Sequence, residues 1–276
     1  MQSLAGIVLY QPDTKKLKRN IDAIIQQVAA VIIVDNASSN RIEIDELLKK
    51  YHRIVYIRNA ENAGIAKALN QIVDKADEMG AEWVVTLDQD SECKSGIVKA
   101  YEDVLSKYEN VGIVTSVFED RNAKLDHDAE GDSQEVSFCI TSASFTNVKA
   151  IKKVGGFDEK MFIDMVDYDI CYALRRQGYH IIRVNTVGFV HEVGESREIR
   201  FLGKKIIVFN HSALRKYYWV RNSVYLMRKY DLDKHKSKKR IRRRMIETFL
   251  FEKDKIKKLK AMFKGLKDGK KCSDRP

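Results

Sequence analysis

Short runs of β-branched and other apolar residues alternate with longer amphipathic stretches along residues 1–117. The runs that predict strands are Leu4–Leu9, Val31–Val34, Ile54–Ile57, Trp83–Leu87 and Val111–Val117. The stretches with helical length and spacing are Thr14–Val28, Glu43–Tyr51, Ile65–Met79 and Gly96–Tyr108. This alternation predicts an α/β fold, in which a mostly parallel sheet is covered by helices on both faces.

The pattern changes after Val117, where residues 118–134 are polar and predict a loop. Beyond it, Glu135–Thr141 predicts a strand, Val148–Val154 and Asp167–Gln177 predict helices, and His180–Val184 with Val187–His191 predict a hairpin. We therefore expect one large domain over residues 1–233, with halves at 1–117 and 118–233, followed by a tail at 234–276.

The formal charge of +11 is concentrated in that tail. Between Lys234 and Lys271 there are 17 Lys or Arg residues and 4 acidic residues, whereas residues 1–233 carry 32 bases and 34 acids. A nearly neutral body with a strongly basic tail indicates that the tail meets an anionic partner.

Cysteine spacing and hydropathy indicate the compartment. Cys93, Cys139, Cys171 and Cys272 lie far apart without a C-x-x-C pair, which argues against a zinc site or a disulfide framework and favours a reducing cytosol. The segment Met1–Tyr10 lacks the basic start of a secretory signal. The longest apolar run, Val28–Val34, is much shorter than the roughly 20 residues of a membrane span. We expect a cytoplasmic protein that does not cross a bilayer.

Polar segments follow four of the predicted strands. They are Tyr10–Asp13, Asp35–Asn40, Asn59–Gly64 and Asp88–Ser91. Such residues also make ordinary turns and helix caps. Ligands of open parallel sheets, however, bind at the carboxyl ends of the strands, and four polar segments in equivalent positions favour a binding site there.

The segment Asp88-Gln89-Asp90 follows the apolar run Trp83–Leu87. Two carboxylates in this position can hold Mg²⁺ or Mn²⁺, which prefer oxygen ligands and leave positions open for the phosphates of a nucleotide diphosphate. His191 also ends an apolar run and could complete a metal site. His127, between Asp126 and Asp128, is interpreted as part of an exposed charged loop.

Three acidic residues, Asp164, Asp167 and Asp169, lie at the start of the predicted helix Asp167–Gln177. The helix dipole favours acids there. One of the three could instead be a general base that takes the proton of an acceptor hydroxyl. The residues alone leave these alternatives open.

Taken together in chain order, these segments resemble glycosyltransferase family 2, and within it the rhamnosyltransferase-like enzymes of bacterial surface polysaccharides. The matching segments are Gly6–Pro12, Val34–Ser38, Asn62–Asn70, Leu87–Ser91, Gly155–Glu159, Phe162–Asp169 with Arg175–Tyr179, His191–Gly194, and Arg221-Asn222. They extend over most of the body, and their shared order makes the resemblance specific.

The resemblance implies a GT-A fold, with a Rossmann-like nucleotide-binding half joined to an acceptor-binding half, and inversion at the anomeric carbon. Its implied nucleotide-sugar-binding residues are Tyr10, Asp35 at the base, Asn62, Gly64, Asn70, Asp88 near the ribose, and Arg221. It also implies that Asp90 and His191 hold Mn²⁺ or Mg²⁺. Asp167 is the implied base, because Val166-Asp167 matches the Glu-Asp pair of the family.

Two residues depart from the family pattern. Val166 replaces a glutamate, and Ala143 in Thr141–Ser144 stands where the pattern has glycine, so close approach of the donor to that backbone is in question. The resemblance implies transfer of a sugar, L-rhamnose from dTDP-rhamnose first and a UDP-hexose next, to a saccharide or lipid-linked acceptor.

Two other functions account for part of the sequence. A nucleotidyltransferase would also use strand-end carboxylates and a metal, but Tyr10–Thr14 is not the Gly-rich basic loop expected of one. A polyanion-binding protein would use the basic tail through counterion release, but its acidic strand-end loops would then have no role. We expect no specific nucleic acid as partner.

The tail carries an apolar stripe among its basic residues. Its members are Met245, Phe249, Ile256, Leu259, Phe263 and Leu266. A cationic helix with such a stripe is typical of attachment to an anionic membrane surface, here the inner face of the cell membrane. The alternative is that the stripe packs on the body and the lysines face water.

Overall fold

The computed structural model describes residues 2–120, 131–191, 196–201 and 204–272. The chain forms two compact units. The first comprises residues 1–160 and 166–192, and the second comprises residues 161–165 and 193–276.

The first unit is a mixed sheet with helices packed against it. Its strands are β1 (Ser3–Leu9), β2 (Val31–Asp35), β3 (Ile54–Arg58), β4 (Trp83–Asp88), β5 (Glu92–Cys93), β6 (Val111–Asp120), β7 (Ser133–Glu135), β8 (Ser144–Asn147) and β9 (His180–His191). Its helices are α1 (Thr14–Ile24), α2 (Arg41–Leu48), α3 (Ile65–Glu78), α4 (Ile97–Leu105), α5 (Val148–Lys153) and α6 (Val166–Arg176).

In the described residues the strand order is β3-β2-β1-β4-β8-β6-β9-β5, and β7 pairs with β9. Strands β1 to β4 run parallel to one another, β8 is antiparallel to both of its neighbours, and β6 is parallel to β9. This is the predicted α/β class, with a largely parallel amino-terminal half. All residues of β1 and β2 are buried, as expected of strands covered on both faces.

Local sequence explains how the helices are placed. The Asp13 carboxylate accepts hydrogen bonds from the backbone N–H groups of Lys15 and Lys16 and thereby caps α1. Leu17, Ile21 and Ile24 then recur at helical spacing and are buried against the sheet. The predicted strands β1 to β4 and β6, and helices α1 to α6, are confirmed within a few residues at their ends.

The predicted hairpin is wrong, because His180–His191 is one continuous strand. It runs parallel to β6, and the register shifts between the pairs Ser116–Val184 and Val117–Val187. Asn185 therefore lies in a β-bulge, where its amide donates to the Gly131 carbonyl oxygen at 3.0 Å. Asn185 and Thr186, which separate the two strands of the predicted hairpin, therefore lie within one strand.

The predicted strand Glu135–Thr141 is also wrong over most of its length, because β7 ends at Glu135. The strand that joins β4 to β6 is β8, which follows Ala143. Ala143 has a φ of 51°, the left-handed region that favours glycine, so the structure explains why glycine is expected at this position.

The second unit contains the strand pair β10 (Ser196–Phe201) and β11 (Lys204–Phe209) and the helices α7 (Ala213–Lys229), α8 (Lys234–Phe251) and α9 (Lys255–Gly269). The tail thus forms two helices. Gly265 and Gly269 allow α9 to approach α7 closely, since a Cβ on them would lie 2.6 Å from the Tyr217 carbonyl oxygen and 2.5 Å from that of Arg221.

The apolar stripe of the tail divides between two surroundings. Met245, Leu259 and Leu266 pack against a buried cluster formed by Val220, Val224, Ile241 and Met262. Phe249, Ile256 and Phe263 are 58%, 73% and 60% exposed. Half of the stripe therefore belongs to the core of this unit, and half faces solvent.

A buried ionic network joins the three helices of the second unit. The Glu252 carboxylate pairs with Lys216 of α7 through one oxygen and with Lys258 of α9 through the other, at 3.0 Å for Lys258. All three residues are less than 5% exposed. Thr248 accepts a further hydrogen bond from Lys216 at 3.1 Å, and Asn210 accepts one from Lys258 at 2.6 Å. Two buried ammonium groups thus share one carboxylate.

In the portion of the chain that the structure describes, no helix has both the length and the apolar character needed to cross a bilayer.

Candidate functional site

Hydrogen bonds tie together the loops that follow β1, β2 and β4 in the first unit. The backbone N–H of Tyr10 donates to the Gln89 side chain at 2.9 Å, which joins the first loop to the Asp88–Ser91 segment. The Gln11 N–H donates to Ser38 Oγ at 2.9 Å, and Ser39 donates back to the Gln11 side chain. The sequence expectation that these segments lie together at the carboxyl edge of the sheet is met.

Asp35 ends β2 and is completely buried. One of its carboxylate oxygens accepts the N–H and the hydroxyl of Ser38, at 2.9 and 2.5 Å. The other accepts Tyr56 Oη at 3.0 Å and Arg58 Nη1 at 2.5 Å. Burial raises the pKa of Tyr56, so its hydroxyl remains a donor. The proposed base-binding carboxylate is therefore held in one orientation by four protein donors.

Amides link the loops after β2 and β3. The Asn36 side chain donates to the Gly64 carbonyl oxygen at 3.2 Å, and Asn59 donates to Asn36 Oδ1 at 2.9 Å. Asn62 accepts the Gly64 N–H at 3.0 Å. Gly64 directly precedes α3, so this amide cluster sets the start of that helix. Asn62 and Gly64 lie at the same edge of the sheet as Asp35.

Asn70 contacts a different segment, the one that resembles the family's Gly-Gly-Phe-Asp-Glu. Its amide donates to the Phe157 carbonyl oxygen at 2.9 Å and to Glu159 at 3.0 Å, and it accepts the Phe157 N–H at 2.7 Å. Its partners in this structure are thus within the protein, and it fixes the Phe157 loop to α3. A role for Asn70 at the donor stays a prediction.

Asp88 and Asp90 lie at the end of β4, where the chain enters a turn. The backbone of Asp88 is fixed on both sides, because the buried Asn20 donates to its carbonyl oxygen at 2.7 Å and its own N–H donates to Ser142 at 3.3 Å. The half-buried Asp90 carboxylate has no hydrogen-bond or ion-pair partner among the described residues. It offers oxygen ligands of the kind that Mg²⁺ and Mn²⁺ prefer.

A complete metal site is not seen in the described residues, which contain no cluster of three or more His, Cys, Asp or Glu residues suited to an ion. The side chain of His191, the other implied ligand, lies outside the described part of the chain, as do Asp126, His127 and Asp128. The metal assignments to Asp90 and His191 stay predictions.

The three candidate bases have distinct environments. Asp167 is half-buried in the first turn of α6, and Asp169 in the same turn is 1% exposed. Asp164 belongs to the second unit, where Arg215 donates to one of its oxygens at 3.1 Å. Burial raises the pKa of Asp164 against the opposing charge of Arg215. Of the three, Asp167 is the carboxylate that is both on α6 and partly open to solvent.

Arg221 lies on α7 in the second unit. Its guanidinium donates to the Asn222 side chain at 3.0 Å and to Cys272 Sγ at 3.1 Å, and it lies 5.6 Å from the ring centroid of Tyr218. The neighbouring Asn222 is buried and donates to the carbonyl oxygens of Ile163 and Asp164 at 2.8 and 2.9 Å. Within the Arg221-Asn222 segment, Asn222 is therefore the residue that fixes the backbone next to Asp164.

Sequence reasoning missed several residues that support the site. Tyr56 and Arg58 alternate on β3, and the parallel register pairs Arg58 with Asp35, so strand pairing alone would have indicated them. Asn20 was a polar residue on the buried face of α1, an exception to the helical pattern that pointed to a hydrogen-bonding role.

Comparison with known proteins agrees with this arrangement. The "Glycosyl transferase family 2" profile matches residues 7–155. A dTDP-rhamnosyl transferase, RfbF of Shigella flexneri, is 32% identical over 243 residues, which cover 82% of this chain and 79% of that protein.

Solved structures share the fold at lower identity. S. aureus TarS 1–349 in complex with UDP-GlcNAc is similar with a TM-score of 0.61 and 13% identity, over 98% of this chain and 80% of that one. The mannosyltransferase PcManGT from Pyrobaculum calidifontis, in complex with GDP-Man and Mn²⁺, gives a TM-score of 0.60 and 15% identity, over 100% and 76%. This chain covers 44% of a longer TarS structure. The strand-end site, the family match and the RfbF identity together show that the chain belongs to glycosyltransferase family 2 and is a glycosyltransferase of GT-A fold.

Proposed function

We propose that the enzyme transfers a sugar with inversion from a nucleotide diphosphate donor to a saccharide or lipid-linked acceptor in the synthesis of a bacterial surface polysaccharide. The first candidate donor is dTDP-L-rhamnose, and UDP-hexoses are second. The observation that carries this proposal is the 32% identity to a dTDP-rhamnosyl transferase along 82% of the chain. The family match favours glycosyl transfer over a nucleotidyltransferase or a polyanion-binding protein.

In the proposed reaction Asp167 accepts the proton of the acceptor hydroxyl. The hydroxyl oxygen forms the new bond to the anomeric carbon, and the bond from that carbon to the diphosphate oxygen breaks with its electron pair on the oxygen. A single displacement of this kind inverts the anomeric configuration. The position of Asp167 in the first turn of α6 supports this role, because the helix dipole stabilises its ionised form.

The strand-end loops supply the donor site in this proposal. Asp35 is the carboxylate assigned to the base, Asp88 lies near the ribose, and Tyr10, Asn62 and Gly64 line the same edge. Since the four donors around Asp35 hold it in place, we expect its substitution to weaken donor binding more than turnover.

Asp90 is suited to be a ligand of a divalent cation, because it is a half-buried carboxylate with no protein partner among the described residues. Asp90, with His191, would hold Mn²⁺ or Mg²⁺. When bound, such an ion neutralises the charge that develops on the leaving diphosphate.

The test is release of nucleotide diphosphate from a panel of dTDP-rhamnose and UDP-hexoses with and without Mn²⁺. We expect Asp90→Ala to abolish transfer with an unchanged thermal melt, and EDTA to do the same to the parent. Asp167→Asn should lower kcat by about 10²-fold or more while donor affinity in calorimetry is retained. Asp164→Asn and Asp169→Asn are the matched controls. A larger loss of kcat in either control than in Asp167→Asn would assign the base elsewhere.

We also propose that the tail attaches the enzyme to the inner face of the cell membrane. Ile246, Phe249 and Leu250 share one face of α8 and are 48%, 58% and 44% exposed. Lys255 lies 5.8 Å from the Phe249 ring centroid, which brings the cationic start of α9 next to this face. Exposed apolar side chains among lysines are suited to an anionic lipid surface, where each base contributes roughly 1 kcal/mol.

Truncation after Asp233 would uncover α7, so exposed side chains give a cleaner test. Phe249→Ser with Ile256→Ser should reduce co-sedimentation with phosphatidylglycerol vesicles and leave the melting temperature unchanged. High salt should weaken the binding of the parent, and neutral phosphatidylcholine vesicles should not retain it. Unchanged sedimentation of the double variant would refute attachment through this face.

A further inference from the structure

Three aromatic rings form a cluster on the amino-terminal half of α6 in the first unit. The Phe138 ring lies 5.2 Å from the Tyr168 ring at 42° and 4.8 Å from the Tyr172 ring at 67°. Tyr168 and Tyr172 are one helical turn apart and so share a face of α6. The Arg175 guanidinium lies 5.9 Å from the Phe138 centroid. We call these three rings the aromatic platform.

The platform faces solvent, whereas the other face of α6 forms core. Tyr168 is 37% exposed, and Phe138 and Tyr172 are half-buried. Val166, Ile170 and Leu174 are buried. Their partial exposure leaves ring surface accessible to a ligand that can stack on it.

The platform lies next to Asp167. The loop that carries Phe138 continues into Cys139, whose Sγ lies 3.8 Å from Cys171 Sγ. Cys171 follows Asp167 by one helical turn. Its contact with Cys139 and its burial raise the pKa of Cys171, and the nearby charge of Asp167 adds to the rise. The Phe138–Cys139 loop thus lies along the same turns of α6 as the proposed base.

The direction of α6 brings this end of the helix to the carboxyl edge of the sheet. Residues 177–179 alone separate α6 from β9, and the His180 N–H donates to the Asn110 carbonyl oxygen at 2.9 Å, beside the start of β6. The last turn of α6 is therefore at the amino edge of β6 and β9. Its first turn, with Asp167 and Tyr168, is at the opposite edge.

We propose that Phe138, Tyr168 and Tyr172 are an acceptor subsite that binds the apolar face of a pyranose ring. This inference rests on the proposed function and specifies the acceptor as a saccharide whose ring stacks beside Asp167. One face of a pyranose presents C–H groups, which match the negative face of an aromatic ring, while its hydroxyls point outward. The phenol hydroxyls and the exposed Arg175 supply polar partners for those hydroxyls.

A lipid chain does not suit this surface. An alkyl chain requires a continuous apolar lining, and here each ring borders a hydroxyl or the Arg175 guanidinium. A nucleobase would also stack on aromatic rings, but the segments assigned to the nucleotide follow β1, β2 and β4. Base stacking is the alternative that the experiment separates.

The binding experiment uses methyl α-L-rhamnopyranoside and methyl β-D-glucopyranoside as probes in saturation-transfer NMR with the full chain. We expect ring C–H signals of at least one glycoside in the parent, their loss in Tyr168→Ala, and their retention in Tyr168→Phe, which keeps the ring. Tyr108→Ala, an aromatic substitution between α4 and β6, is the control and should retain them. Equal signals in the parent and Tyr168→Ala, or no signal in the parent, would overturn the subsite.

The kinetic experiment uses the donor found in the panel and, as acceptor, the methyl glycoside that gives the NMR signal. Tyr168→Ala should raise the acceptor KM about tenfold, the effect of losing one ring contact, with donor affinity for dTDP unchanged in calorimetry. A loss of dTDP affinity with an unchanged acceptor KM would assign the platform to the nucleobase and overturn the proposal. If the glycosides bind through Tyr168 but no donor is turned over, the proposed function fails and the saccharide subsite stands.

Discussion

Glu252→Gln is the sharpest test of how the second unit is held together. The substitution keeps the shape of the side chain and removes its charge. In the parent that carboxylate pairs with Lys216 on α7 and with Lys258 on α9, and all three residues are buried. Burial already lowers the pKa of Lys216, with the neighbouring carboxylate opposing the change. Without Glu252, two ammonium groups remain buried with no counter-charge.

The expected cost is about 3–5 kcal/mol in the free energy of unfolding, the range for removal of one partner from a buried ion pair. Glu247→Gln is the matched control on α8, the helix that Glu252 directly follows. Glu247 also contacts two bases, Arg243 and Arg244, but these side chains are 76% and 32% exposed. Glu247 itself is 12% exposed, but its arginine partners remain in contact with water, so the control should lose clearly less stability than Glu252→Gln.

The chain carries one tryptophan in each unit, Trp83 in β4 and Trp219 in α7, which allows the units to be followed separately. Urea unfolding would be monitored by Trp219 fluorescence in a Trp83→Phe background. Lys258→Met should cost much less than Glu252→Gln, because it leaves one ammonium paired with one carboxylate. If Glu252→Gln shifted the Trp219 transition no more than Glu247→Gln, the network would not be shielded from water and the reasoning would fail.

Two further predictions use the same structure. Burial and the charges of Arg215, Lys216, Arg244 and Lys258 lower the pKa of His211 to about 3. Since unfolded histidine takes up a proton below about pH 6.5, stability should fall as pH decreases from there toward 3. His211→Gln should reduce the change of the urea midpoint with pH over that range. A pH dependence equal to that of the parent would contradict the prediction. In thermal melts, Gly156→Ala should lower the free energy of unfolding by about 1–3 kcal/mol more than Gly178→Ala does. Both glycines have positive φ, but only at Gly156 would the new Cβ lie close to the Asn70 side chain, at 2.7 Å. Equal losses of stability in the two variants would show that the Asn70 side chain moves aside.

The sequence was sufficient for most of the layout of the first unit and for the edge of the sheet at which its polar loops meet. Apolar runs of strand length separated by helical periodicity predicted β1 to β4, and their polar ends predicted the loops that Gln89 and Ser38 connect. Local pattern failed where tertiary pairing decided the structure. The predicted hairpin had its turn at Asn185, but pairing with β6 keeps β9 continuous across the bulge.

The local sequence pattern also could not predict which side chains form hydrogen bonds with one another. The four donors of Asp35 come from three separate positions in the chain, Ser38, Tyr56 and Arg58. The apolar stripe of the tail predicted a single helix face, because its spacing continues through Asp254, where α8 and α9 are in fact separated. There the backbone adopts a φ of 52° and a second helix begins, so residues in one periodic series face different surroundings.

The close approach of α9 to α7 has a consequence for synthesis on the ribosome. The face of α7 at Tyr217 and Arg221 is covered by Gly265 and Gly269, which lie about 50 residues later in the chain. At roughly 5–20 residues per second, about 3–10 s pass between the translation of α7 and the translation of this part of α9. The sheet of the first unit closes with β9 and needs no residue of the tail. The nascent chain therefore carries a completed first unit while this face of α7 is still exposed, an interval in which chaperones would bind it.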